Sequence, residues 1–273
     1  MGSDTSEAKH PTSTETTAVV IPRIPQDIID EILGHLSVID SDLRTLRSCA
    51  LVSKSWAPSC HRHLFRTVIF TSRNGVKWLE TFPVPEESPA RHVRDLRFLI
   101  QEHPGLPEEF FEYIRWFTNV QWAVLSGYGG AWLLRLPRYW RLPRSVTSLE
   151  VTANMTLQQT RDVMVQLPNL NHLSLSGDIP AWDKGLPVGI GTLRGGFGGR
   201  LRLLDGYADD DVINMLMEIP TGLHFTEVQI SCMYQHLLSA RGLVEACGKN
   251  LVKLSYTISE YRESHPFSWS GWF

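Results

Sequence analysis

Residues 22–70 read PRIPQDIIDEILGHLSVIDSDLRTLRSCALVSKSWAPSCHRHLFRTVIF, and the fold turns on them. Pro25 suits the first turn of a helix, where its missing N–H would have no partner in any case. Asp27, Asp30 and Glu31 load the early turns with negative charge, which favours a helix N-terminus. Ile28, Ile29, Ile32, Leu33 and Leu36 then recur at helical spacing and make one aliphatic stripe. A short acidic break, Asp40-Ser41-Asp42, opens a second helix whose apolar face is Leu43, Leu46, Leu51 and Val52. Trp56 is its large anchor and Pro58 its expected end, and a third short segment carries Leu64 and Phe65. Three short helices cannot bury all of that surface among themselves. One fully buried aliphatic side chain is worth about 1.5–3 kcal/mol. A surplus stripe therefore implies a further surface against it, from the rest of the chain or from a second protein.

The remainder of the chain bounds the function class. Its 273 residues predict one small and one larger domain. Hydrophobic content of 42% with 20% charged residues describes a globular protein. A net charge of −3 gives no overall reason to expect nucleic acid or an acidic membrane surface. Cys49, Cys60, Cys232 and Cys247 form no C-x-x-C pair and read as free thiols in a reducing compartment. Cys60-His61-Arg62-His63 has no second ligand cluster to complete a zinc site. No apolar run reaches bilayer length and no secretory signal is read, so a cytoplasmic or nuclear protein is expected. Met1 to Ser6 fits the loose N-myristoylation pattern without a second anchor.

Taken in order, residues 1–20 are rich in Ser, Thr, Glu and Ala and read as a disordered tail. Residues 22–66 are the helical unit, and 67–89 a connecting strand, helix and breaker-rich loop. From 90 to 257 a repeat appears, with short strands of the form apolar-x-x-apolar-x-apolar. With Leu96, Ala123, Leu149, Leu173, Leu204, Val228 and Leu254 as middle positions, the steps are 27, 26, 24, 31, 24 and 26 residues. Helices are predicted over 107–117, 156–167, 212–219 and 234–247; Thr156 and Gln159 are spaced as a capping box, and Asp209 suits a cap. Residues 258–273 form an aromatic tail in which Phe267, Trp269, Trp272 and Phe273 are expected to cover the open end of the sheet.

The helical stretch resembles an F-box, in the form common in fungal proteins. The resemblance rests on Ile24-Pro25, the helix from Ile28 to Leu36, Leu51-Val52-Ser53-Lys54-Ser55-Trp56 and Leu64-Phe65. The later units look like the degenerate leucine-rich repeats that often follow an F-box, most clearly at Gln166 to Gly177. The fold class expected is therefore α/β: a three-helix F-box-like unit followed by a leucine-rich-repeat solenoid with a curved parallel sheet. An ordinary α/β domain with a parallel sheet is the alternative for 90–257. The resemblance implies docking on the SKP-type adaptor of a cullin–RING ubiquitin ligase, through Pro25, Ile28, Ile29, Ile32, Leu33, Leu51, Val52 and Trp56. The repeats would then hold a protein target, with Gln121, Thr147, Glu150, Asn171, His172 and Ser174 as candidate contacts. The competing expectation is a scaffold whose helices merely cap the repeat array.

Two other signals are weaker. Gly189-Ile190-Gly191-Thr192-Leu193-Arg194-Gly195 fits a dinucleotide-binding pattern, yet Pro187 precedes it and more glycines follow, so no helix N-terminus can meet a pyrophosphate. Arg135, Arg138, Arg141 and Arg144 recur every third residue with Trp132, Tyr139 and Trp140 among them, which reads as a solvated face with snorkelling arginines or, alternatively, a site for an acidic partner. No catalytic constellation emerges, so a non-enzyme without cofactor or metal is expected.

Overall fold

A computed structural model describes residues 24–37, 43–99, 106, 108–127, 141–153, 155–177, 197–218 and 222–259. Three helices come first: α1 (Gln26–Ser37), α2 (Leu43–Val52) and α3 (Ala57–Leu64). Pro58 lies in the first turn of α3 and does not end α2, consistent with the tolerance of that turn for a missing N–H. Trp56 is the residue that leads into α3.

Eight strands follow in one sheet, in strict chain order, with every neighbouring pair parallel. They are β1 (Thr67–Phe70), β2 (Asp95–Leu99), β3 (Trp122–Gly127), β4 (Ser148–Ala153), β5 (His172–Ser176), β6 (Phe197–Leu203), β7 (Leu223–Met233) and β8 (Lys253–Ser259). The stretch expected as a connector, 67–89, supplies the first strand, so the sheet begins earlier than residue 90. Leu201, not Leu204, stands in register with Leu173 and Val228. The two uneven steps read from the sequence thereby become 28 and 27 residues, close to the others.

Helices return the chain between strands: α4 (Ser72–Thr81), α5 (Glu108–Tyr113), α6 (Leu157–Gln166), α7 (Asp210–Met217) and α8 (Leu237–Cys247). The caps are those the side-chain chemistry predicts. Thr71 accepts from the Asn74 amide, and Thr156 and Gln159 form the reciprocal capping box. Asp209 accepts from the Asp211 amide at the start of α7. The helix expected over 107–117 is shorter, since a 3-10 turn replaces its end at Ile114–Trp116.

Alternation along each strand sends every second residue to the helices and those between to the opposite face, so the two buried rows lie on the same side. Leu96, Ala123, Leu149, Leu173, Leu201 and Val228 form one buried row; Phe70, Phe98, Leu125, Val151, Leu175, Leu203 and Ile230 form the next. They pack on Trp78, Phe110, Met164, Ile213 and Leu243 from the helices. On β8 the corresponding Leu254 and Tyr256 are exposed, as is Ile258. Residues 260–273 of the aromatic tail expected to cover them lie outside the described residues, as do residues 1–20 and 180–196, whereas 197–199, expected to end the glycine loop, open β6.

One glycine is demanded by the backbone. The β6–β7 register shifts between Gly199 and Arg200, and Gly199 has φ 79°. A Cβ there would run into the carbonyl oxygen and side-chain amide of Asn171. Gly199→Ala is expected to destabilise the protein by about 1–3 kcal/mol, from left-handed backbone strain plus that collision. Urea unfolding measures it, and an unchanged midpoint would contradict the bulge geometry.

Candidate interaction surfaces

The three helices share a small core of their own. Ile29, Leu33, Leu46 and Cys60 are its buried members, with Leu36, Cys49, Trp56 and Leu64 partly buried against them. A polar clasp closes α1 on α3: the Gln26 side-chain amide donates to Asp30 at 3.0 Å and to Ser59 at 2.8 Å. Hydrogen bonds from Ser59 and Gln26, with the Arg62 charge, hold the Asp30 carboxyl below the usual carboxylate range. The residues expected to meet an adaptor therefore divide. Leu33 has no exposed surface and Ile29 almost none, because both fill the core between helices. Trp56 is half-buried, whereas Pro25, Ile28, Ile32, Leu51 and Val52 are exposed. Leu51 is 89% exposed and Val52 72%, and they adjoin each other at the end of α2. Ile24 and Leu43, absent from the expected set, are exposed apolar residues as well.

Residues 21–67 match the family model for the F-box domain. The chain carries an F-box. No curated protein matches the chain as a relative. The F-box is thus a unit whose inner stripe, Ile29 and Leu33, is consumed by its own fold, while its outer stripe, Ile28 and Ile32, is not. In α1 these pairs are each spaced i, i+4 and are offset from each other by about 100° of rotation.

The second surface is the sheet face turned away from the helices. One row across it runs Asp95, Trp122, Ser148, His172, Arg200, Glu227 and Lys253; the next runs Arg97, Val124, Glu150, Ser174, Arg202, Gln229 and Ser255. Arg97 is held by Asp95 through 2.7 Å and 3.1 Å contacts, and Arg200 by Glu227 at 2.8 Å. The Trp122 and His172 rings face each other with centroids 6.5 Å apart. Of the expected target contacts, Glu150 and His172 stand on this face, half-buried. Ser174 is buried there, its short side chain lying between Glu150 and Arg202 in the register, so it offers no contact surface. Gln121, Thr147 and Asn171 sit one residue before their strands. Their carbonyls form a lateral ladder in which each accepts amides from the next unit: Thr147 and Ser148 donate to Gln121, then Asn171 and His172 to Thr147. Arg94, Arg97, Arg200 and Trp122 were not singled out from the sequence. Arg135 and Arg138 lie outside the described residues; Arg141 and Arg144 are exposed but belong to no element.

Two outcomes follow for stability. Ile29→Ala and Leu33→Ala are each expected to cost about 2–5 kcal/mol as core truncations, while Ile28→Ala and Ile32→Ala stay within about 1 kcal/mol; denaturant unfolding of the four variants tests the division of the stripe. The pH dependence has a definite sign. His63, His92 and His172 are each held below the ordinary imidazole value, first by burial and then by nearby arginines. The unfolded chain therefore takes up protons before the folded one, and this contribution to stability is lost as pH falls below about 6.5. Asp30 adds a loss of the same sign at lower pH, as its carboxylate protonates. The urea midpoint is expected to drop between about pH 7.5 and 5, and a midpoint that rises would overturn these assignments.

Proposed function

We propose that this protein is a substrate-recruiting adaptor of an SKP–cullin–F-box ubiquitin ligase. The observation that carries the reading is the F-box at residues 21–67 with Ile28, Ile32, Leu51 and Val52 left uncovered. An SKP-type adaptor is the partner that F-box domains take, and each aliphatic side chain it buries returns about 1.5–3 kcal/mol. The sheet is the target-holding part in this reading. Its regular parallel strands, about one every 24–28 residues, support a leucine-rich-repeat array. Its open face combines Trp122 with Arg97 and Arg200, an aromatic and arginines of the kind enriched at protein interfaces. The mechanism is proximity: holding a target beside a ubiquitin-charged enzyme raises the effective concentration of its lysines without chemistry by this chain. Four free cysteines suit the reducing cytoplasm or nucleus where such ligases act.

The capping role is compatible with this one. α3 leads directly into β1, and Phe65 at its end packs against Trp78 and Phe82. The third helix thus seals the first strand while the outer faces of α1 and α2 remain free.

Co-expression of the full chain with an SKP-type adaptor is expected to give a one-to-one complex by size-exclusion chromatography with light scattering. Ile28→Asp with Leu51→Asp should abolish the complex and leave the chain folded, because both residues are exposed. Arg200→Gln with Glu227→Gln on the sheet should leave it intact. A wild-type chain that is monodisperse alone and ignores the adaptor would sink the ligase reading in favour of a scaffold.

A further inference from the structure

Where the F-box meets the sheet, a cavity of about 450 Å³ is walled by Arg62, His63, Arg66, Arg91, His92 and Arg94. Two stretches of chain supply them, residues 62–66 and 91–94. Arg62 and His63 come from the last turn of α3, Arg91 and His92 from the 3-10 turn Pro89–His92, and Arg66 and Arg94 from the positions just before β1 and β2. Backbone bonds lock these segments together. The Arg94 and Asp95 amides donate to the Arg66 carbonyl at 2.8 and 2.9 Å, and the Asn119 side chain donates to the Arg91 carbonyl at 2.7 Å. Gln121 occupies the next position of the same pre-strand row and lines the cavity beside Arg94.

The charge here is not balanced. Of the four arginines, Arg62 faces Asp30 at 3.8 Å; among the described residues no carboxylate pairs with the other three. The α3 C-terminal dipole favours Arg62 and His63 but does not account for Arg66 and Arg94, which lie beyond the helix. Burial first, then Arg66 and Arg62, pushes His63 down, and burial first, then Arg91, Arg62 and His61, pushes His92 down. Cations that line one concavity suit a compact anion more than an extended acidic chain. The volume is that of a small-molecule site, and guanidinium groups match phosphoryl oxygens two at a time.

We propose that this junction cavity binds a compact phosphorylated small molecule carrying about three negative charges, which bridges α3 to the first two strands. The site is independent of adaptor docking, because none of its residues belongs to the exposed apolar stripe of α1 and α2.

Calorimetric titration of the full chain with inorganic tripolyphosphate, at constant ionic strength, tests it. Saturable one-to-one binding is expected, weakened tenfold or more in R91Q/R94Q and in R66Q, and changed less than twofold in R200Q/R202Q on the sheet face. Melting curves of the variants check that they are folded, and R66Q serves if the double variant is not. The His63 and His92 ring signals should titrate at higher pH in the presence of the probe. Absence of saturable heat, or an equal loss in R200Q/R202Q, would overturn the proposal. Vesicles bearing a phosphoinositide that sediment the chain, and release it to tripolyphosphate, would assign the phosphate groups to a lipid headgroup; failure to sediment would assign them to a soluble compound, and either result keeps the site. A doubly phosphorylated peptide that binds tenfold more tightly than tripolyphosphate would replace the small ligand with a protein one and refute the proposal.

Discussion

Phe70 holds the junction on which the arrangement of the molecule depends. Its ring lies 4.5 Å from Phe110, 5.4 Å from Trp78, 5.8 Å from Phe117 and 6.0 Å from Phe98, measured between centroids. Trp78 and Phe82 extend the cluster to Phe65 at the end of α3. Edge-to-face pairs of this kind contribute about 0.5–1.5 kcal/mol each beyond the area they bury. The last turn of the F-box and the first two strands therefore share one aromatic core. Because the rings interlock, α3 has a fixed direction relative to the sheet. Both the uncovered side of α1 and the arginines around the junction take their positions from it.

The F-box was legible in the sequence because its signals are local. Helical spacing of Ile28 to Leu36, the charged first turn and the Trp56–Leu64–Phe65 order each need only a few residues to read. The division of the α1 stripe was not legible. Ile28 and Ile32 are as apolar as Ile29 and Leu33, and periodicity marks the whole band. Only the partner helices decide which edge of the band turns inward: Leu46 and Cys60 meet Ile29 and Leu33. Pro58 misled for a related reason, since a proline between two helical segments can stop one or start the next.

The strands were read well where two apolar positions flank one outward residue, as at Leu173 and Leu175. The sixth strand was read out of register because Leu201, Leu203 and Leu204 offer two equally good frames. The β6–β7 register shifts at Gly199, which lies against Asn171 just before β5, and neither the shift nor that contact can be read from local spacing. The junction cavity escaped the sequence altogether. Its cations are spread over residues 62–94 and converge only through the pairing of β1 with β2.

The chain-order arrangement of the strands has a consequence for how the molecule is put together. Each strand finds its partner about 24–28 residues away in the chain, so no pairing has to wait for distant parts of the polypeptide. Ring closures of that size cost little more than one another, since the entropy of closure grows only with the logarithm of length. Assembly can proceed like a zip from the aromatic junction outward, each new strand using the previous one as its template. Among the described residues β8 is the last strand of that series, and its Leu254, Tyr256 and Ile258 are exposed.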